Sequence, residues 1–265
     1  MSIIKPNIKK DFERMPLTIT ICSGKGGVGK SVVSANLGSV LSKMGHKVLI
    51  WDADSFFPNL HLILGIEPPS RLSEVYSGDI LIQDAIYRIN DNFFILADSA
   101  AMGSFPKSNA TPIIDVYKEL LLESDFDIII FDSPAGASEQ VIQCSKISDI
   151  IAVMINDEPT SLLDAYGLIK VLLKFVRKDK IYLLVNNVID IEDAEDVSTK
   201  LNSATNKFLN FEVKQLGFIP YERNIRLSIQ RQELYSNLYT DTDVISSLKR
   251  ISEYLTREYL NFINT

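Results

Sequence analysis

The sequence predicts an α/β protein with a doubly wound, mostly parallel sheet and helices on both faces. Three observations predict it. Short apolar runs read as buried strands: 17–22, 47–52, 92–97, 126–132, 149–155, 180–188 and 213–219. Helical spacing fills much of the chain between them, and such alternation builds parallel sheets. A glycine-rich loop, Ser23 to Ser31, joins the first strand to the first helix, and acids end two later strands at Asp52 and Asp132. Ligands of open α/β sheets gather at those carboxyl-terminal strand edges.

The loop Gly24-Lys25-Gly26-Gly27-Val28-Gly29-Lys30-Ser31 fits the phosphate-loop spacing of Gly, four residues, Gly-Lys-Ser. Glycines let several N–H groups turn toward one anion. The helix that opens at Lys30 adds its free N–H groups and positive dipole end, worth roughly 0.3–1 kcal/mol per facing charge. Lys30 is expected to reach the β- and γ-phosphates, and the Ser31 hydroxyl to bind Mg²⁺. A glycine turn that merely starts a helix is the bland alternative. The full spacing and both flanks favour the cradle, with Val33, Leu37, Val40 and Leu41 marking the helix.

The chain has 265 residues and a net charge of -7, which suits one α/β core and disfavours a generally nucleic-acid-binding surface. Cys22 and Cys144 form no paired motif, so neither a zinc site nor a disulfide framework is expected. No apolar run reaches the length of about 18 residues needed to span a membrane, and no signal-peptide core is visible, so the chain reads as cytoplasmic.

Lys25 exceeds what a simple cradle needs. Lys25-Gly26-Gly27-Val28-Gly29-Lys30-Ser31 resembles the deviant Walker A loop of the MinD/ParA ATPases. The resemblance implies ATP/ADP and Mg²⁺ as cofactors, a homodimer in the ATP state, and a lysine at Lys25 that reaches the partner's ATP. A charge supplied in trans acts like an arginine finger, worth about 10³–10⁵ in rate. It further implies Asp52 in the Mg²⁺ shell and Asp54 orienting the attacking water, in a segment like the family's first switch. Two turn-capping acids are the plain alternative. Ser55-Phe56-Phe57-Pro58 and His61 depart from the family pattern there.

Asp132-Ser133-Pro134-Ala135-Gly136 resembles the second switch, with Asp132 on Mg²⁺ through water and the Gly136 N–H sensing the γ-phosphate. The resemblance places Asn186 at the adenine edge; an Asn that only caps its strand is the plain alternative. Gly217-Phe218-Ile219-Pro220-Tyr221-Glu222 resembles the adenine loop and adds Pro220 and Glu222. Together with Gly24 to Ser31, Val32 at the helix start completes the expected nucleotide contacts.

Other segments are read from pattern alone. Residues 1–16 form a flexible leader, 17–240 the ATPase domain, and 241–265 an amphipathic helix. Short helices are expected at 72–76 and 81–88, a small-residue loop at 98–110, and a helix capped by Thr111 with Pro112 first. Thr160 is expected to cap a helix running to about Val176. Val244, Leu248, Ile251, Leu255, Tyr259 and Phe262 share one face of the last helix, which packs on the domain or docks on a membrane.

The segment from Asp157 to Lys170 resembles the flagellar-number ATPases of the FlhG or FleN branch. That resemblance implies a regulator of flagellar number or placement. Its partner would be a flagellar GTPase or a cell-pole factor, with a peripheral place at the inner membrane. A MinD-type division-site regulator and a ParA-type DNA- or cargo-positioning ATPase remain alternatives, and DNA is disfavoured by the acidic charge. A tyrosine kinase of related fold would leave Lys25 without purpose, an iron–sulfur carrier would need paired cysteines, and a non-catalytic nucleotide sensor stays open.

Overall fold

A computed structural model describes residues 15–54, 57–68, 72–97 and 112–263. The first strand β1 (Leu17–Ser23) leads through the glycine loop into α1 (Lys30–Lys43) and β2 (Val48–Asp52). Three short helices follow, α2 (Leu60–Leu64), α3 (Leu72–Ser77) and α4 (Ile82–Ala85), then β3 (Ile86–Arg88) and β4 (Phe93–Leu96). The next stretch holds α5 (Ile113–Glu123), β5 (Ile128–Ala135), α6 (Glu139–Ile147), β6 (Ile150–Ile155) and α7 (Pro159–Leu172). The chain closes with β7 (Ile181–Val188), α8 (Ile191–Leu209), β8 (Lys214–Pro220), α9 (Arg223–Arg231), α10 (Tyr235–Leu238) and α11 (Asp243–Ile263).

The eight strands lie in the order β3-β4-β2-β5-β1-β6-β7-β8. All pairings are parallel except β3 with β4. Strand periodicity of two sorts the side chains onto two faces. Val48 and Ile50 join α1 and α11 in one core, while Leu49 and Trp51 join α3, α4 and α5 in another. Ile151, Val153 and Ile155 meet α7 and α8 on that second side. The doubly wound architecture expected from the strand–helix alternation is what the chain adopts.

Parallel pairing aligns the carboxyl ends. Asp52 and Asp132 are register partners on β2 and β5, and β5 lies directly beside the loop strand β1. Close helix–sheet packing keeps α1 in place. A Cβ built on Gly38 would sit 2.6 Å from Ile50 Cδ1 and 3.0 Å from a Phe93 ring carbon, so any side chain there would push those core groups aside.

Four details differ from the sequence reading. Ile86 to Arg88 is not the end of a helix but an edge strand, held by Ile86↔Leu96 and Arg88↔Phe94. Pro112 stands at the N-cap, one position before the helix it was expected to begin. The cap of α7 is Glu158 with Pro159 at the first turn, so Thr160 is inside the helix and free for other work. That helix ends at Leu172, before the expected Val176. The expectations for residues 1–14, Ser55-Phe56, 98–110 and Thr111 lie outside the described residues.

The face of α11 is decided by burial. Val244, Ile245, Leu248, Ile251, Leu255 and Tyr259 are each at most 3% exposed and belong to the same core as α1. Tyr259 also donates to Asp127 Oδ1 at 3.0 Å, and Gly217 of β8 leaves the space that Ile251 fills. At about 1.5–3 kcal/mol per buried aliphatic side chain, exposing this face costs on the order of 10 kcal/mol. That rivals the whole stability of a typical domain. In this fold these six side chains belong to the core; the Phe262 side chain lies outside those described. No helix among the described residues is long and apolar enough to cross a membrane.

Candidate functional site

The loop wraps the carboxyl end of β1. Gly27 and Gly29 have φ of 78° and 97°, the left-handed region that favours glycine. Gly24 is needed for a different reason: a Cβ there would lie 2.3 Å from the Asp164 carbonyl of α7. The loop is thus wedged between α7 and the end of β7. On that side Asn186 Nδ2 donates to the Val28 carbonyl at 2.7 Å. A Cβ on Gly29 would meet the same amide nitrogen at 2.7 Å.

Lys30 is only 9% exposed, and its ammonium donates to Ser23 Oγ at 3.2 Å. No carboxylate pairs with it among the described residues. A buried cation held by one neutral hydroxyl is costly, and an anion beside it is the natural remedy. The donor set therefore fits a phosphate at this point: left-handed glycines, a helix N-terminus and an unpaired buried ammonium.

Next to it lie the acids. Asp132 is 2% exposed and accepts from Ser34 Oγ at 3.1 Å. Burial raises its pKa from 3.8 to about 6, against the lowering pull of Ser31, Lys30 and Ser34. Asp52 is also 2% exposed, and burial, with Asp132 nearby, drives its pKa well above the usual carboxylate range. Two buried acids in register are electrostatically strained until a cation joins them. Among the described residues no group of three His, Cys, Asp or Glu side chains is arranged to hold a metal. The cation that fits is one content with one or two carboxylates, a hydroxyl, water and phosphate oxygen, which is the chemistry of Mg²⁺.

Asp52 has a structural task as well. Its carboxylate accepts from the backbone N–H of Asp54 (3.1 Å), Asn59 (3.1 Å) and Leu60 (3.3 Å), and so shapes the loop after β2. Asp54 in turn accepts from the Phe57 N–H at 3.0 Å. Lys30, Ser31, Asp52, Asp54 and Asp132 all line one cavity of about 980 Å³. A second cavity of about 330 Å³ adjoins it across Gly27, Gly29 and Val32, and takes in Asn186, Asn187, Pro220, Glu222 and Ile225.

Several residues named from sequence are engaged in ways sequence does not show. The Gly136 N–H donates to the Ser23 carbonyl at 2.8 Å, with φ of 84°. Glu222 caps α9 by accepting from the Asn224 N–H at 2.8 Å. Lys25 ion-pairs with Glu158 and donates to Thr160 Oγ1 at 2.9 Å. Lys25 and a second hydrogen bond, from Asn156, hold the Glu158 carboxyl below its usual range. From sequence, Glu158 has no role and Thr160 only that of a helix cap; they are 133 and 135 residues from Lys25, too far for any local pattern to reveal the contact.

Residues 19–235 match the family described as the CobQ/CobB/MinD/ParA nucleotide binding domain. The chain belongs to this family. Among curated relatives of this MinD/ParA-family chain, antiactivator FleN of Pseudomonas aeruginosa is 27% identical, over 89% of this chain and 84% of that protein. Flagellum site-determining protein YlxH of Helicobacter pylori is 26% identical, over 96% and 87% of the two chains. The septum site-determining protein MinD from Pyrococcus horikoshii, solved in complex with Mg-ADP, superposes with a TM-score of 0.75 at 28% identity, over 91% of this chain and 96% of that one. The sheet described above is that of the MinD/ParA ATPase switches.

Proposed function

We propose that this chain is an ATP-hydrolysing, dimerising switch that regulates flagellar number or placement. The observation that carries the ATPase reading is Lys30, a buried ammonium lacking a carboxylate partner among the described residues, opposite two buried acids in one cavity. In the bound state the loop N–H groups and Lys30 hold the β- and γ-phosphates. Ser31, Asp52 and Asp132 would hold Mg²⁺ beside them. Mg²⁺ supplies charge neutralisation on the phosphates. Asp54 orients the attacking water, and Lys25, released from Glu158, stabilises charge on the partner's nucleotide. The base lies in the second cavity near Asn186, Pro220 and Glu222.

Binding is cooperative with dimer formation because Lys25 has two places to be. In one chain alone it rests on Glu158 and Thr160. Across a dimer it meets phosphate. Hydrolysis removes the γ-phosphate and returns Lys25 to Glu158.

The flagellar role is supported by the similarity to FleN and YlxH over nearly the full chain. A division-site role has its own support in the likeness to MinD of Pyrococcus horikoshii. Counting flagella and measuring cell length in cells lacking this chain, or carrying Lys30→Ala, separates the two. Altered flagellar number at normal cell length is the expected result. Minicells or filaments with normal flagellation would overturn it in favour of septum placement.

A further inference from the structure

Asn156 follows β6, the strand next to the loop strand β1 in the sheet, and is 8% exposed. Its backbone N–H donates to Ser161 Oγ at 3.2 Å, and its Nδ2 donates to Glu158 Oε1 at 2.8 Å. Glu158 is bound to Lys25 as well and is an ionised acceptor, so the amide must turn its nitrogen toward it. That fixes the amide oxygen on the other side. Asn156 Oδ1 has no hydrogen-bond partner among the described residues. Buried amide oxygens are paired in the great majority of proteins, so an orphan one calls for a partner. Asn156 also lines the cavity of about 330 Å³ beside the loop.

Topology identifies the partner. From the loop strand the sheet steps outward through β6, β7 and β8, with neighbours about 4.8 Å apart. A nucleotide whose phosphates sit on the loop and whose base reaches Asn186 and Pro220 lays its sugar against the end of β6. A sugar hydroxyl is a donor, and the orphan oxygen is an acceptor. We infer that Asn156 reads the sugar: its Oδ1 accepts a hydrogen bond from a ribose hydroxyl of the bound nucleotide, so the site prefers ribonucleotides to their deoxy counterparts. This inference rests on the nucleotide reading of the site. It also gives the sugar a direct line through Asn156 and Glu158 to Lys25.

The test is calorimetric titration of the full chain with ADP, 2′-deoxy-ADP and 3′-deoxy-ADP in Mg²⁺. ADP is used because it binds without turnover. One of the two analogues is expected to bind about tenfold more weakly than ADP, the worth of one hydrogen bond. The Asn156→Ala variant is expected to bind ADP and that analogue alike. A purely structural role for Asn156 would weaken all three ligands together and leave their ratios unchanged. Equal affinity of the unaltered chain for all three, or an unchanged ratio in Asn156→Ala, overturns the inference while leaving the nucleotide site standing. Failure to bind ADP at all overturns the nucleotide reading itself. The comparison of ligands on the unaltered chain needs no variant, and Asn156→Leu serves if the alanine variant does not fold.

Discussion

Replacing Gly29 by alanine strains the loop in two separable ways. At φ of 97° and ψ of 16° the backbone is in a region that alanine enters at a cost of about 1–2 kcal/mol. The new Cβ would also lie 2.7 Å from Asn186 Nδ2, well inside contact distance. That nitrogen is the donor to Val28 O, so relieving the clash stretches or breaks a bond worth about 0.5–1.5 kcal/mol. The sum is about 2–3 kcal/mol. In a chain of this size it lowers the melting temperature by about 4–12 °C. Gly27→Ala is the control. Its φ of 78° carries the same backbone cost, but nothing lies within 4 Å of the added carbon. Urea denaturation of the two variants, with ADP titration alongside, separates the terms. Gly29→Ala is expected to be less stable than Gly27→Ala by about 1 kcal/mol, the Asn186 contribution. Equal stabilities, or a Gly29→Ala chain within 0.5 kcal/mol of the unaltered one (about the scatter of neutral substitutions), would refute the wedge of the loop against β7.

Four further outcomes follow from the same geometry. Lys30→Ala removes the buried cation and is expected to weaken ADP binding by at least about tenfold, the range of a charged hydrogen bond, as calorimetry would show. Lys25→Ala is expected to leave ADP affinity near normal but abolish the ATP-dependent dimer, read by sedimentation velocity. The raised pKa of Asp132 sets a pH dependence with a definite sign: its folded value of about 6 exceeds the ordinary 3.8, so the protonated form stabilises the nucleotide-free fold at low pH and that contribution is lost as pH rises through about 6. Mg²⁺-dependent nucleotide affinity runs the other way, falling as pH drops through about 6, and Asp132→Asn should flatten both profiles. Truncation before Asp243 removes six buried core side chains and should leave insoluble or unfolded protein by circular dichroism, whatever the lipid or nucleotide added.

The sheet was largely legible because its strands are buried on both faces and read as continuous apolar runs, with Asp52 and Asp132 marking their carboxyl ends. The short strand Ile86 to Arg88 was not, because three residues carry no period and its pairing with Phe94 and Leu96 is a tertiary fact. Helix α7 was legible as a helix, but both its cap and its end were misassigned. Thr160 is a strong capping type, yet Pro159 at the first turn moves the cap to Glu158. At the site, the glycine loop is a local motif, so the strand, the turn and the helix opening at Lys30 could be read from sequence. The clasp of Lys25 by Glu158 and Thr160 could not, since it joins the loop after β1 to the start of α7 across more than 130 residues. The same holds for Asn186 on Val28 and for the lone oxygen of Asn156. These depend on which strands become neighbours, and β6 and β7 reach the loop only once the order β1-β6-β7 is set.

Sedimentation velocity of the Asp54→Ala chain in Mg-ATP against Mg-ADP tests the central claim most directly, because blocking hydrolysis holds the switch in one state. A dimer in ATP and a monomer in ADP, with Lys30→Ala monomeric in both, is the predicted result. A monomer in ATP, despite measured ATP binding, would contradict a dimerising switch and leave only a nucleotide sensor.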